Sequence, residues 1–299
     1  MDRIGFRAHD FGIFDSIDEL GSTIEGYRKE SWVHFAIQRC LASPRPWREW
    51  DEEYISGVSS SLKRHGVNIA IVGCSINPIH PDEDIRKEEI ERYIKAMSLH
   101  KAFSCPYIGT ETGSANGTKG RYCITTAEES NMDMLFQSLD RMIDAAERYD
   151  GYVAIECGAH SHALSTLKRA ERCIRRYEDT DRLRFILDPI NLIPFQGIEE
   201  EDGVSILHPT KEAQRAFYMP VIETIGPRAA AIHMKDFTLN PENGAKIGSL
   251  TAFTGSFDWS GFISEYRKRG NDVPWLLENL RPEILSETMS QMRKAGLDF

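Results

Sequence analysis

Short apolar runs alternate with longer amphipathic stretches from one end of the chain to the other. The strand-like runs are Arg3–Ala8, Trp32–Gln38, Asn68–Cys74, Tyr107–Thr110, Tyr152–Cys157, Arg184–Leu187, Ala229–Met234 and Pro274–Glu278. Several are apolar almost throughout, the pattern of strands buried on both faces of a parallel sheet. Helical spacing of apolar residues follows in Trp50–His65, Glu83–Lys101, Ala127–Tyr149, Ser165–Tyr177, Lys211–Ile225, Trp259–Arg269 and Ile284–Ala295. Gly66 closes the first of these, and acidic residues open the helix at Ala127. No Gly/Ser-rich or Pro-rich linker, low-complexity tract or repeat interrupts the alternation, which predicts one α/β domain over residues 1–299.

Eight strand–helix units need ~250 residues when closed into a barrel, and 299 residues accommodate that with extra loops. The competing architecture, an open doubly wound sheet, would carry a glycine-rich phosphate turn after its first strand. Here that position reads Phe6-Arg7-Ala8-His9-Asp10-Phe11-Gly12, and no G-x-x-x-x-G-K-[ST] motif occurs anywhere. The expected fold is therefore a (β/α)8 TIM barrel.

Composition narrows the function. The chain carries 46 acidic against 36 basic residues, a formal charge of −10, which disfavours nucleic acid as a partner. No apolar run approaches the ~20 residues of a membrane span, and the N-terminus enters strand-like sequence without a signal-peptide core, so a cytoplasmic protein is expected. The six cysteines are scattered without a C-x-x-C pair, which argues against a disulfide framework or a zinc knuckle and for small buried side chains.

In barrels of this kind chemistry gathers at the C-terminal ends of the strands. Four successive runs end there in possible metal ligands: Ala154-Ile155-Glu156, Ile186-Leu187-Asp188, Ala231-Ile232-His233 and Leu276-Leu277-Glu278. Taken singly, Asp188 before Pro189 also suits a turn, and a histidine closing a strand also suits a structural role. Glu156 and Glu278 follow apolar runs directly, where an unpartnered charge is costly. Three converging carboxylates would repel one another unless a cation sat among them. Three oxygens and one imidazole suit one divalent ion, with Mn²⁺, Mg²⁺ or Co²⁺ preferred and Zn²⁺ allowed.

These residues carry a resemblance. Gly109-Thr110-Glu111-Thr112-Gly113-Ser114, Ala154-Ile155-Glu156, Leu187-Asp188-Pro189-Ile190-Asn191-Leu192, Ile232-His233-Met234-Lys235-Asp236, Gly255-Ser256-Phe257-Asp258-Trp259 and Leu277-Glu278-Asn279 together resemble the xylose isomerase-like TIM barrel superfamily, including its sugar-phosphate isomerases and epimerases. The resemblance implies a metal held by Glu156, Asp188, His233 and Glu278, with the two glutamates doubling as acid/base groups. Apurinic endonucleases of the same superfamily place a histidine three residues after the strand-six aspartate, where this chain has Asn191, and carry an Asp-x-His pair that is not found here. A three-zinc nuclease site is thereby disfavoured.

The expected reaction is proton transfer on a sugar or sugar phosphate through an enediolate, with Glu156 and Glu278 as the catalytic pair. Elimination of a hydroxyl from an inosose or keto acid by the same site is the alternative, and a metal-dependent hydrolase or endonuclease-like enzyme stands behind it. Candidates for binding a small sugar or cyclitol are His9, Asn77, His80, Glu111, His160, His162 and Lys235, the last with an ion pair to Asp236 as its other use. Trp32, Trp47 and Trp50 offer an apolar wall for a sugar ring or ordinary packing. Which sugar, whether it is phosphorylated, and the oligomeric state are left open by the sequence.

Overall fold

The computed structural model describes residues 1–117, 124–158, 162–193, 210–269 and 272–299. Nine strands are present among these residues: β1 (Ile4–Arg7), β2 (Ser31–Phe35), β3 (Val67–Gly73), β4 (Tyr107–Glu111), β5 (Tyr152–Glu156), β6 (Leu183–Leu187), β7 (Ala229–Leu239), β8 (Lys246–Thr251) and β9 (Trp275–Leu277). All but β8 pair in parallel with two neighbours. The order β1-β2-β3-β4-β5-β6-β7-β9 closes on itself through pairing of Ile4 with Trp275, Gly5 with Leu276 and Phe6 with Leu277. The fold is thus a closed eight-stranded parallel barrel ringed by helices, and β9 supplies the eighth stave.

Beyond short helical turns, two longer elements escaped the hydrophobic pattern. The first is a helix, Ile17–Tyr27, between β1 and β2. Ser16 Oγ accepts from Glu19 N while Glu19 Oε2 accepts from Asp15 N, so side chains satisfy two backbone donors at its start, and Ile17, Leu20 and Ile24 face the core. The second is a hairpin. β7 continues past the expected end at Met234 to Leu239, then turns back into β8 with Lys235 opposite Thr251 and Leu239 opposite Lys246. Its turn holds Asn243-Gly244, with Gly244 at φ +68°, and Asn240 and Asn243 accept backbone N–H bonds through their side chains.

Helix boundaries otherwise fall within a few residues of those predicted: Lys211–Ile225 is unchanged, and Ala127–Tyr149 becomes Glu129–Tyr149. The main core lies between strands and helices. An aromatic group there brings Phe262 into ring contact with Tyr218, Phe257, Trp259, Tyr266 and Trp275. A separate cluster of Ala70, Ile71, Ala154, Ile186, Ala230, Ala231 and Leu276 comes from five strands and is the inner packing of the barrel. Cys40, Cys74, Cys105, Cys157 and Cys173 are buried free thiols, as their scatter implied, while Cys123 lies outside the described residues. No helix among the described residues is long and apolar enough to cross a membrane.

The barrel wall is tight where β1 meets β2. A Cβ placed on Gly5 would lie 1.5 Å from the Trp32 carbonyl oxygen, a backbone atom that cannot swing aside. Gly5→Ala is expected to destabilise the protein by about 3 kcal/mol, the upper range for an overpacked interior. A urea midpoint unchanged from wild type would contradict this.

Candidate metal centre

Each of the four strand-end groups reaches its position for a local reason. Glu156 is the last residue of β5, and Glu278 directly follows β9. His233 lies within β7 on the same side as Lys235, two residues on. Asp188 caps the short helix Pro189–Leu192: its Oδ1 accepts from Ile190 N at 2.9 Å and Asn191 N at 3.1 Å. Turn former and site residue are therefore not alternatives for Asp188, because one oxygen closes the turn and the other faces the barrel mouth. Lys246 on β8 fastens the same turn, donating to the Ile190 and Ile193 carbonyls at 2.8 and 2.9 Å. The hairpin missed in the sequence thus braces this carboxylate.

The structure brings one possible ligand atom from each of Glu156, Asp188, His233 and Glu278 within 4.8 Å of one another. All four residues are buried, Asp188 and His233 at 1% exposure. Three carboxylates at that depth need positive partners. Lys235 Nζ stands 2.7 Å from Asp188 Oδ2 and 3.4 Å from Glu278 Oε1. Arg7 Nη1 donates to Glu278 Oε1 at 2.5 Å, and the same guanidinium pairs with Asp10. His233 Nδ1 sits 3.3 Å from Glu156 Oε1 and 3.2 Å from Glu278 Oε2.

Titration follows these contacts. Burial works to raise Glu278, but Lys235, then His233 and Arg7, outweigh it and hold the carboxylate well below its usual range. Burial works to lower His233, yet Glu156 and Glu278 push it up to about 10. Asp188 is raised to about 6 by burial, against the pull of Lys235 and with Glu278 and Glu156 adding to the rise. Burial would lower Lys235, and Asp188 and Glu278 raise it instead, so it stays charged.

Three neighbours of the cluster were not foreseen. His34 on β2 places Nδ1 3.0 Å from His233 Nε2, and burial together with His233 and His9 holds it well below the ordinary imidazole range, so it is neutral. Its Nδ1 then accepts from His233 Nε2–H, which leaves His233 Nδ1 aimed at the carboxylates. Asn191 Nδ2 donates to Glu156 Oε1 at 3.0 Å. Arg7 is the third. The available signal was a polar residue inside or closing an apolar run, His34 within β2 and Arg7 at the end of β1.

Above the cluster opens a cavity of about 300 Å³ whose wall includes His9, Glu111, His162 and Lys235 among the expected substrate residues. Ser75 Oγ donates to Glu111 Oε2 at 3.3 Å. Burial, with Arg7 and Arg39 adding, lowers His9 to about 4. Two expected wall residues lie elsewhere. Asn77 stitches two loops, its amide donating to the Ser114 carbonyl and accepting from Ser114 N, while His80 Nδ1 accepts from Asp82 N at the start of a helix. His160 lies outside the described residues. The ion pair of Lys235 with Asp236 does not form, because adjacent strand residues face opposite sides; Asp236 Oδ1 accepts from Phe237 N and Phe257 N instead. The tryptophans do not line the cavity either: Trp32 packs under Arg3, Trp47 beside Arg48, and Trp50 against Phe103.

The donor set fits a divalent ion. It is oxygen-rich with one imidazole, converges from four strands, and includes Asp188 Oδ2, a buried oxygen with no hydrogen bond of normal geometry that faces only the Lys235 ammonium. A buried cluster of this composition could hold a metal ion.

The model of the xylose isomerase-like TIM barrel family matches residues 35–295, and the chain belongs to that family. No curated protein matches it in sequence. Among solved structures, a xylose isomerase-like TIM barrel protein from Mycobacterium smegmatis in complex with magnesium superposes with a TM-score of 0.70 at 13% identity, over 99% of this chain and 96% of the other. The 3-keto-D-glucoside 4-epimerase from E. coli superposes at 0.65 and 13% identity, over 98% and 100%. A probable 3-DHS dehydratase from Bacillus anthracis does so at 0.67 and 13% identity, over 98% and 99%. At such identity these likenesses establish the fold.

The charge pattern sets a pH dependence for the metal-free protein. The folded pKa of His233, about 10, lies above its ordinary 6.5, so its protonated form stabilises the fold. That contribution is complete below pH 6.5 and is lost as pH rises toward 10. With chelator present, the Tm is expected to fall across this interval, and to fall less in His233→Asn. A wild-type Tm that rises there would contradict the charge assignment.

Proposed function

We propose that the chain, working as one barrel domain over residues 1–299, is a divalent-metal-dependent isomerase or epimerase of a sugar or sugar phosphate. The observation that carries this reading is the pairing of Glu156 and Glu278, which project from β5 and β9 toward one ligand cluster and one cavity. Glu156, Asp188, His233 and Glu278 would hold the ion, with Mn²⁺, Mg²⁺ or Co²⁺ favoured by the oxygen-rich set. When bound, such an ion supplies Lewis-acid polarisation of a substrate carbonyl.

The chain's own residues account for the proton movement. Glu156, oriented by Asn191, removes a proton from the carbon beside the carbonyl, leaving an enediolate. Glu278, three staves around the barrel, returns a proton at the other face or at the neighbouring carbon. It must first take up a proton from substrate or solvent, since Arg7 and Lys235 keep it ionised at rest. Lys235 hydrogen-bonds the oxygen on which negative charge develops. Glu111 and Ser75 lie across the cavity, where they meet substrate hydroxyls, and His9 and His162 complete the wall. Proteins of this fold whose names specify an epimerase and a dehydratase support a small polar substrate.

The test is solvent exchange. Ketoses, their phosphates and inososes incubated with the Mn²⁺-loaded protein in D₂O are expected to yield one that gains deuterium at carbon without losing water. Glu156→Gln at saturating Mn²⁺ is expected to lower kcat by about 10²–10⁴-fold, the usual contribution of a positioned general base. Full activity of that variant would sink the assignment. Water loss with an enone absorbance would reassign the reaction to elimination.

A further inference from the structure

The cavity wall is chemically two-sided. On the β3–β4 side stand Ser75, Thr110 and Glu111, which present polar oxygens. On the β1–β2 side stand His9 and Arg39. Arg39 belongs to the short helix Ile37–Cys40 just after β2 and is exposed at the rim of the same cavity. Arg7, the other guanidinium in the wall, is engaged by Asp10 and Glu278. Arg39, by contrast, forms no ion pair or hydrogen bond through its side chain among the described residues, so its guanidinium is available to an anion that enters the cavity. His9 adds a second donor. It sits in the turn Ala8–Phe11 that follows β1, and its Nδ1 is buried with no hydrogen-bond partner among the described residues. A buried ring nitrogen left unpaired is destabilising until a ligand atom reaches it.

We propose that Arg39 and His9 form an anion subsite, so that the substrate carries a phosphate or a carboxylate at the end held against β1 and β2. This rests on the reading that the reacting carbons lie between Glu156 and Glu278. The guanidinium offers two parallel N–H donors to two oxygens of the anion, and the neutral imidazole supplies one more N–H. The hydroxyl-bearing part of the molecule then spans the cavity toward Glu111 and Ser75. A neutral sugar would fill the same space and leave both groups unpaired.

Titration calorimetry of the Mn²⁺-loaded protein with D-fructose, D-fructose 6-phosphate and D-glucuronate tests this directly. One of the two anions is expected to bind about tenfold to a hundredfold tighter than the neutral ketose, the range for hydrogen bonds to a charged group. The preferred anion identifies the group as phosphate or carboxylate. Arg39→Gln is expected to remove that preference while leaving Mn²⁺ affinity unchanged. Arg48→Gln, which removes an outer-surface arginine paired with Glu88, is expected to preserve it. Equal binding of all three ligands, binding of neither anion, or a preference that survives Arg39→Gln would overturn the subsite. Failure of deuterium exchange alongside a preference that depends on Arg39 would refute the proposed reaction and leave the subsite standing.

Discussion

Three carboxylates, Glu156, Asp188 and Glu278, share a buried space only a few ångströms across, and the architecture around them answers that concentration of negative charge. Left alone they would take up protons or force the barrel mouth open. Lys235 and His233 within β7 and Arg7 at the end of β1 supply the compensating charge, their positions fixed by pleat and register. A divalent ion held by the cluster would add to the same balance. Bound there, such an ion would compete with the His233 proton and with the Lys235 contact to Asp188, so binding would be expected to release a proton.

The surrounding elements make sense as supports for this cluster. The Asp188 turn is capped by its own carboxylate and fastened by Lys246 from the β7–β8 hairpin, while His34 orients the His233 ring and Asn191 the Glu156 carboxylate. Such outer contacts tune ligand geometry and affinity as much as the ligands themselves. Arg7 performs the same service for Glu278 and joins β1 to the far end of the chain through Asn279. The first and last staves of the barrel are therefore closed by backbone pairing and by a charge contact at the site.

The fold was legible because buried parallel strands are nearly uniform in hydrophobicity, and eight such runs separated by amphipathic stretches have few other arrangements. The four candidate ligands were legible for a related reason: each stands where an apolar run ends. Arg7 and His34 were not, since their partners lie 271 and 199 residues away in the chain and only barrel closure brings them together. Asn77 and His80 were misplaced because a polar loop residue near a site reads the same whether it faces the cavity or satisfies backbone groups, as both of these do. The hairpin was hidden because the charged pair Lys235-Asp236 breaks the apolar run of β7 and reads as the end of the strand, although Asn243-Gly244 signalled the turn.

The proposed chemistry requires one cation shared by the four strand-end groups. An electron paramagnetic resonance titration with Mn²⁺ measures that sharing without reference to any substrate. The expected result is one tightly held ion per chain in the wild type and at least about tenfold weaker binding in Asp188→Asn. No bound ion, three ions per chain, or an Asp188→Asn variant that binds Mn²⁺ as the wild type does would contradict it.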